Sequence, residues 1–294
     1  MSFFMRATVG AISIAQKVSA LTGRKLPATP EKSAKQVKLP NYIYEKYGSY
    51  FRTIEGATVV RLDPESYRHP NELIYLHGGG YTQPINHMHW GIVDRLMATT
   101  RSRALVPQYL LAPEHTAAEV YPLLDKVYDL AQQRVQQRKG KIVIAGDSAG
   151  GGLALAYAMN RRDRKLSLPD QLILFSPWLD VTLQNPEIKT IKDPMLKQEE
   201  LTKAGRDWAG EWDVKDPRIS PLFGSSQDLP LTLIYQGKQD ILYPDVRVFS
   251  ETAQQEGAPI KLMVAPTGFH VYMALPYLPE SRQVYREIRG IFKT

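Results

Sequence analysis

Cysteine is absent from the 294 residues. That excludes a disulfide framework, a thiolate metal site and a thiol nucleophile, and it weighs mildly against secretion into an oxidising compartment, so a cytoplasmic location is expected. No apolar run is long enough to cross a bilayer, and stable membrane insertion is not expected. Internal repeats, low-complexity stretches and linker-like runs are also lacking. One large core over residues 1–294, rather than two autonomous domains, is therefore expected. Glycine-rich loops occur, but none ends in Gly-Lys-Ser/Thr or opens a helix as G-x-G-x-x-G, so a phosphate cradle fits poorly. His87-Met-His89 has no carboxylate cluster beside it. No metal and no cofactor are expected, and the pair is placed in the loop or helix start after Gly80, near a pocket mouth at most. The formal net charge is +7. The cations form only small clusters (Arg101/Arg103, Arg134 to Lys141, Arg161 to Lys165) near helix ends or loops. They read as a solvated basic surface, with no aromatic-interleaved stripe for nucleic acid.

What is present is concentrated in two motifs. Lys141-Ile-Val-Ile-Ala145 is a short β-branched run that ends in Gly146-Asp-Ser-Ala-Gly150, and a small-residue helix from Leu153 follows at once. This is G-x-S-x-G in the strand–turn–helix setting of a nucleophile elbow. The turn lifts the Ser148 hydroxyl clear of a sheet and sets it at a helix N-terminus, where peptide N–H groups favour developing negative charge. Earlier in the chain, Leu73-Ile-Tyr-Leu76 runs into His77-Gly-Gly-Gly80. A glycine run there lets bare backbone N–H groups approach a tetrahedral oxyanion. Together, in this order, the motifs point to acyl chemistry.

His270 is the only one of six histidines that follows Ser148. It stands in a loop after the apolar run Ile260–Ala265, as the general base of such a fold should. Asp240 follows the run Leu231–Tyr235 and precedes His270 by thirty residues, room for one helix (Asp245 to Glu256) and one strand. It is the favoured acid. Asp180, after Leu172–Phe175, is a rival, and Asp245 is a weaker one because it falls within the expected helix. Asp147 is expected to form structural hydrogen bonds rather than to react. Strand candidates alternating with helical segments from about residue 72 argue an α/β fold with a mostly parallel central sheet flanked by helices.

His77-Gly-Gly-Gly80, Leu110-Leu-Ala-Pro-Glu-His115, Gly146-Asp-Ser-Ala-Gly150 and Ser176-Pro-Trp-Leu-Asp180 resemble the signature blocks of the hormone-sensitive-lipase-like α/β-hydrolase family, in family order. The resemblance implies a serine carboxylesterase acting on short- to medium-chain acyl esters, with Ser148, Asp240 and His270 as catalytic residues. A lipase, an amidase or deacetylase with the same triad, or less readily a non-catalytic ligand-binding protein, are the alternatives. The resemblance further implies an oxyanion hole from the N–H groups of Gly79, Gly80 and Ala149, and a helical cap over the site, placed at about 1–45 and about 180–222. It also allows a homodimer. Two positions depart from the family pattern: Leu110 stands where an arginine is usual, and Val271 where a glycine usually follows the histidine. The second departure predicts a differently oriented histidine loop.

Residues 1–21 have an apolar middle that superficially resembles a signal peptide. Gln16-Lys17 interrupt it, and Phe3, Ala7, Ala11, Ile14, Ala15, Val18 and Leu21 recur at helical spacing, so an amphipathic cap helix is expected, with membrane-surface contact as the runner-up. Lys197 to Trp212 also reads as a helix, with Leu201, Ala204, Trp208 and Trp212 on one face. Trp208 is expected to pack this helix onto the sheet, and the role of Trp212 stays open.

Overall fold

The computed structural model describes residues 4–12, 39–65 and 69–292. A hairpin opens the sheet: Tyr47–Ile54 (β1) and Ala57–Pro64 (β2) pair antiparallel across a two-residue turn at Glu55-Gly56, both with positive φ. The remaining strands are Asn71–Leu76 (β3), Ser102–Gln108 (β4), Ile142–Asp147 (β5), Gln171–Phe175 (β6), Leu231–Gly237 (β7) and Ile260–Ala265 (β8). Their order across the sheet is β1-β2-β4-β3-β5-β6-β7-β8. β2 meets β4 antiparallel, and every pairing from β4 across to β8 is parallel. The central strands β5 and β6 are buried along their whole length, which is why they read as unbroken apolar runs rather than alternating ones.

Helices cover both faces. His87–Thr100 (α3) and Pro279–Ile291 (α8) pack on one side, where Trp90, Val93, Leu96, Val284 and Ile288 share a core with Tyr75 and Phe175. Ala117–Gln136 (α4), Ala149–Asp163 (α5) and Tyr243–Gln255 (α7) pack on the other, where Val120, Leu124, Leu155 and Phe249 share a core with Ile144 and Leu174. Because the strands run parallel, the loops after β3, β5, β6, β7 and β8 all emerge at one edge, and the candidate residues sit there.

Residues 4–12 belong to a helix (α1), and a short helix, Asn41–Lys46 (α2), precedes β1. The expected inward face of the first segment needs correcting. Met5 is buried, with Val9 and Ile12 packed behind it, whereas Ala7 and Ala11 are exposed. The i, i+4, i+7 stripe of longer side chains reaches the core where alanine cannot. Phe3, Ile14, Ala15, Val18 and Leu21 lie outside the described residues. The second segment forms Gln198–Ala209 (α6), which ends at Gly210 with φ 59°. Trp212 thus falls beyond the helix expected to carry it.

The basic clusters are not wholly solvated. Arg134 bridges Glu72 and Asp63 at 2.7 and 2.8 Å, and the buried Arg161 guanidinium lies 3.6 Å over the Tyr128 ring. Among the described residues, no helix is long and apolar enough to cross a membrane, and no group of three or more His, Asp or Glu could hold a metal ion.

Candidate active site

β5 ends at Asp147 and α5 begins at Ala149, which leaves Ser148 between them with φ 53° and ψ −122°. Such a backbone costs a non-glycine residue about 1–3 kcal/mol, so its surroundings must hold it. They do: the Ser148 N–H donates to the Phe175 carbonyl at 2.9 Å, and its own carbonyl accepts from Gly152 and Trp178 at 3.1 and 2.9 Å. α5 crosses β3 so closely that a Cβ on Gly150 would overlap the Leu76 carbonyl. The glycines of the elbow are therefore steric requirements of the crossing.

His270 follows β8 and Asp240 follows β7. His270 Nδ1 donates to Asp240 Oδ2 at 2.9 Å, which leaves Nε2 as the proton acceptor of the neutral ring. Asp240 Oδ2 also accepts from Gln236 Nε2 at 2.8 Å, and Oδ1 from the Leu242 N–H at 2.9 Å. Burial alone would push the imidazole down, but the Asp240 carboxylate, its hydrogen bond, and the Asp193 and Asp147 carboxylates lift it above the ordinary histidine value. The rival acids go elsewhere. Asp180 takes the Thr182 N–H and hydroxyl, while Asp245, in α7, bonds Asn185 at 2.9 Å.

Val271 adopts a left-handed conformation, φ 49° and ψ 39°, which glycine takes freely and a β-branched residue resists. The Val271 N–H donates to Ser176 Oγ at 3.0 Å, and the Ser176 N–H donates to the Tyr235 carbonyl at 2.8 Å. Ser176 thus laces the ends of β6 and β7 to the loop after β8. Its own φ of 46° marks it as another strained position at this edge.

Gly79 and Gly80 have φ 111° and 59°, left-handed values that suit glycine. The Gly79 carbonyl is turned away into bonds from Thr82 and Gln83. Ala149 opens α5, where the first N–H groups have no intrahelical acceptor. Asp147 fastens the glycine loop to the elbow: Oδ1 accepts from Gly78 N at 3.1 Å and from the Tyr75 hydroxyl. Behind it, His89 Nδ1 accepts from the Asn86 N–H at 2.9 Å, which places the ring proton on Nε2, 3.4 Å from Asp147 Oδ2. His89 is therefore buried behind the elbow and not at a pocket mouth, a correction to the expectation. Despite its burial, the Asp147 carboxyl is held below its usual range by its neighbours, first His89, then the Tyr75 hydrogen bond and His77.

α6 lies over this loop. Trp208 stacks on Tyr81, the residue after Gly80, at 4.2 Å and 4° between planes, and approaches Tyr109 at 6.2 Å. Tyr109 in turn stacks on His77 at 4.3 Å. Trp208 thus packs the helix on the rings behind the glycine loop rather than on the sheet. Trp212 is remote: Arg218 lies 3.8 Å over it and Tyr121 abuts it. Leu110 packs half-buried against the core. His89 and Ser176 stood in stretches singled out in the sequence, but their bonds here, and Asp193 altogether, were not read from it, because a lone polar residue carries no signal of its partners until the fold supplies them.

Comparison with known proteins agrees with the fold. Residues 73–274 match the Abhydrolase_3 family, described as having the alpha/beta hydrolase fold. An esterase of Acinetobacter venetianus is 30% identical over 225 residues, covering 74% of this chain and 72% of its own. A triacylglycerol lipase of Mycobacterium tuberculosis is 32% identical over 228 residues, but this chain spans only 47% of its length. The structure of EstE5 soaked with p-nitrophenyl butyrate superposes with a TM-score of 0.76 at 27% identity, over 95% of this chain and 97% of that one. The chain belongs to the hormone-sensitive-lipase-like family of the α/β hydrolases, a family of carboxylic ester hydrolases.

Proposed function

We propose that this chain is a serine carboxylesterase that hydrolyses short- to medium-chain acyl esters through an acyl-enzyme on Ser148. The observation that carries the reading is the 2.9 Å bond from His270 Nδ1 to Asp240, at the sheet edge where Ser148 stands on its strained elbow. In the reaction, His270 Nε2 takes the Ser148 proton as Oγ attacks the ester carbonyl. Asp240 holds the tautomer and stabilises the imidazolium that forms. The N–H groups of Gly79, Gly80 and Ala149 receive the developing oxyanion, each donor being worth about 2.7–4 kcal/mol of barrier in comparable sites. The alcohol departs with the proton from His270. Water then enters, His270 activates it, and the acid is released. Asp147 holds the glycine loop against the elbow and does not react.

The segment at about 180–222 is assigned to the cap; of the other expected cap segment, about 1–45, residues 1–3 and 13–38 lie outside the described residues. Supporting the assignment, Leu201 of α6 would stand 3.7 Å from a Cβ on Gly80. The preference for shorter chains is supported by the similar EstE5, whose structure was soaked with p-nitrophenyl butyrate, a short-chain ester. The test is a series of p-nitrophenyl esters from acetate to palmitate. Rates should peak at the short to medium esters and fall steeply with longer chains. Fastest turnover on emulsified palmitate would overturn the reading in favour of a lipase.

A further inference from the structure

Asp193 lies between β6 and β7, in the turn before α6, and the reaction described above leaves it without a role. Its Oδ2 accepts the N–H of Ile241, the residue after Asp240, at 2.9 Å. Its Oδ1 accepts the N–H groups of Met195 at 2.7 Å and Leu196 at 2.9 Å. A carboxylate near a second buried carboxylate is unfavourable, and N–H donors are what can hold one there. Burial, and then the charge of Asp240, lift the Asp193 carboxyl above its usual range. The Ile241 and Leu196 N–H groups and the His270 imidazole pull the other way. His270 is therefore faced by three acidic groups: Asp240 from the loop after β7, Asp193 from the turn before α6, and Asp147 from β5. Beyond Asp147, His89 and His77 face that carboxylate.

We propose that Asp193 is a positioning residue of the Ser148–His270–Asp240 machinery, holding the acid-bearing loop through the Ile241 N–H and setting a second negative charge toward the His270 imidazole. The inference rests on the esterase reading and adds to it a residue from the segment that carries α6. Two effects follow. The Ile241 tie keeps Asp240 in place to orient the ring. The extra charge stabilises the imidazolium formed when Ser148 gives up its proton. Asp193 stands five residues before the start of α6, whose Leu201 approaches Gly80.

The experiment is kcat/KM and kcat against pH on p-nitrophenyl butyrate, for the wild type, Asp193→Asn and Asp193→Glu, with Ser148→Ala as the blank. Asp193→Asn keeps an acceptor for one side of the site but removes the charge. Its acid limb should move to lower pH by about half a unit, and kcat should fall about tenfold with KM changed less than about twofold. Asp193→Glu keeps the charge but misplaces the tie. It should lose kcat while its acid limb stays nearer the wild-type position. Should the amide variant fail to fold, Asp193→Ser, whose hydroxyl can accept the turn N–H groups, carries the same expected shift. An acid limb that stays put in the uncharged variant, however far kcat falls, would mean a merely structural residue and overturn the proposal. If the wild type is inactive, or activity survives Ser148→Ala, the esterase reading itself fails and takes the inference with it.

Discussion

Ser148 and Val271 hold backbone conformations that their side chains resist, and each is pinned by hydrogen bonds from neighbouring strand ends. Strain of this kind persists only where the surroundings over-determine it. Val271 directly follows His270, the proposed general base. In the proposed reaction His270 must be neutral to accept the serine proton, and the acidic groups around it raise its affinity for a proton. The acid limb of kcat/KM should therefore lie above about 6.5, the ordinary histidine value. A pH–rate profile with its limb below that value would contradict the electrostatic picture.

Asp245 offers a second test at this scale, on stability. Burial first, and then Asp180, raise its carboxyl to about 6, against the Asn185 hydrogen bond that lowers it, and its Oδ2 has no hydrogen-bond partner among the described residues. A folded-state value above the unfolded one favours folding below about pH 4, and that contribution is lost as the pH rises through about 6. Asp245→Asn removes the buried charge without breaking a bond at Oδ2. It should raise unfolding free energy by about 1–2 kcal/mol at pH 8 and by nothing near pH 4. Denaturant titrations at the two pH values check it, and destabilisation at pH 8 would contradict it.

At the scale of elements, the central parallel strands were legible because burial on both faces demands apolar runs, and Leu73–Leu76, Ile142–Ala145 and Leu172–Phe175 are such runs. The hairpin β1–β2 was not. β1 is an edge strand whose middle residues, Tyr50 to Thr53, are exposed, so it shows no apolar alternation. Its turn is Glu55-Gly56 rather than the stronger Asn-Gly or Asp-Gly signal. The end of α6 was misjudged for a related reason: Trp212 continues the apolar spacing, but Gly210 with positive φ terminates the helix first. The α5–β3 crossing gives a direct prediction. Gly150→Ala forces its methyl group into the Leu76 carbonyl and should cost about 2 kcal/mol or more of stability. A midpoint of urea unfolding unchanged from wild type would show that the crossing can relax. Trp208→Ala removes the ring that α6 stacks on Tyr81 and should lose about 3–5 kcal/mol of packing, with ester turnover falling alongside it. Intact stability and turnover in that variant would sever the link between α6 and the glycine loop.

At the scale of the whole molecule, one sheet edge gathers groups that the chain scatters from His77 to His270. The order serine, acid, histidine and the glycine loop before them could be read from the sequence, since each motif sits at a strand end. Asp240 was favoured over Asp180 and Asp245 because one helix and one strand separate it from His270, though Asp180 also follows a strand end. The strand order β5-β6-β7-β8, with β7 beside β8, decides between them by bringing the loop of Asp240 to that of His270. Asp193 was hidden: it lies in a turn of a segment without regular alternation, and only the folded chain brings it to Ile241.

The most direct measurement is the initial rate on p-nitrophenyl butyrate for the wild type and Ser148→Ala, purified and assayed side by side. The account predicts ready turnover by the wild type and loss of about 1000-fold or more in the variant. Turnover that survives the substitution would show that the nucleophile lies elsewhere. No turnover in either protein would contradict the assignment of ester hydrolysis.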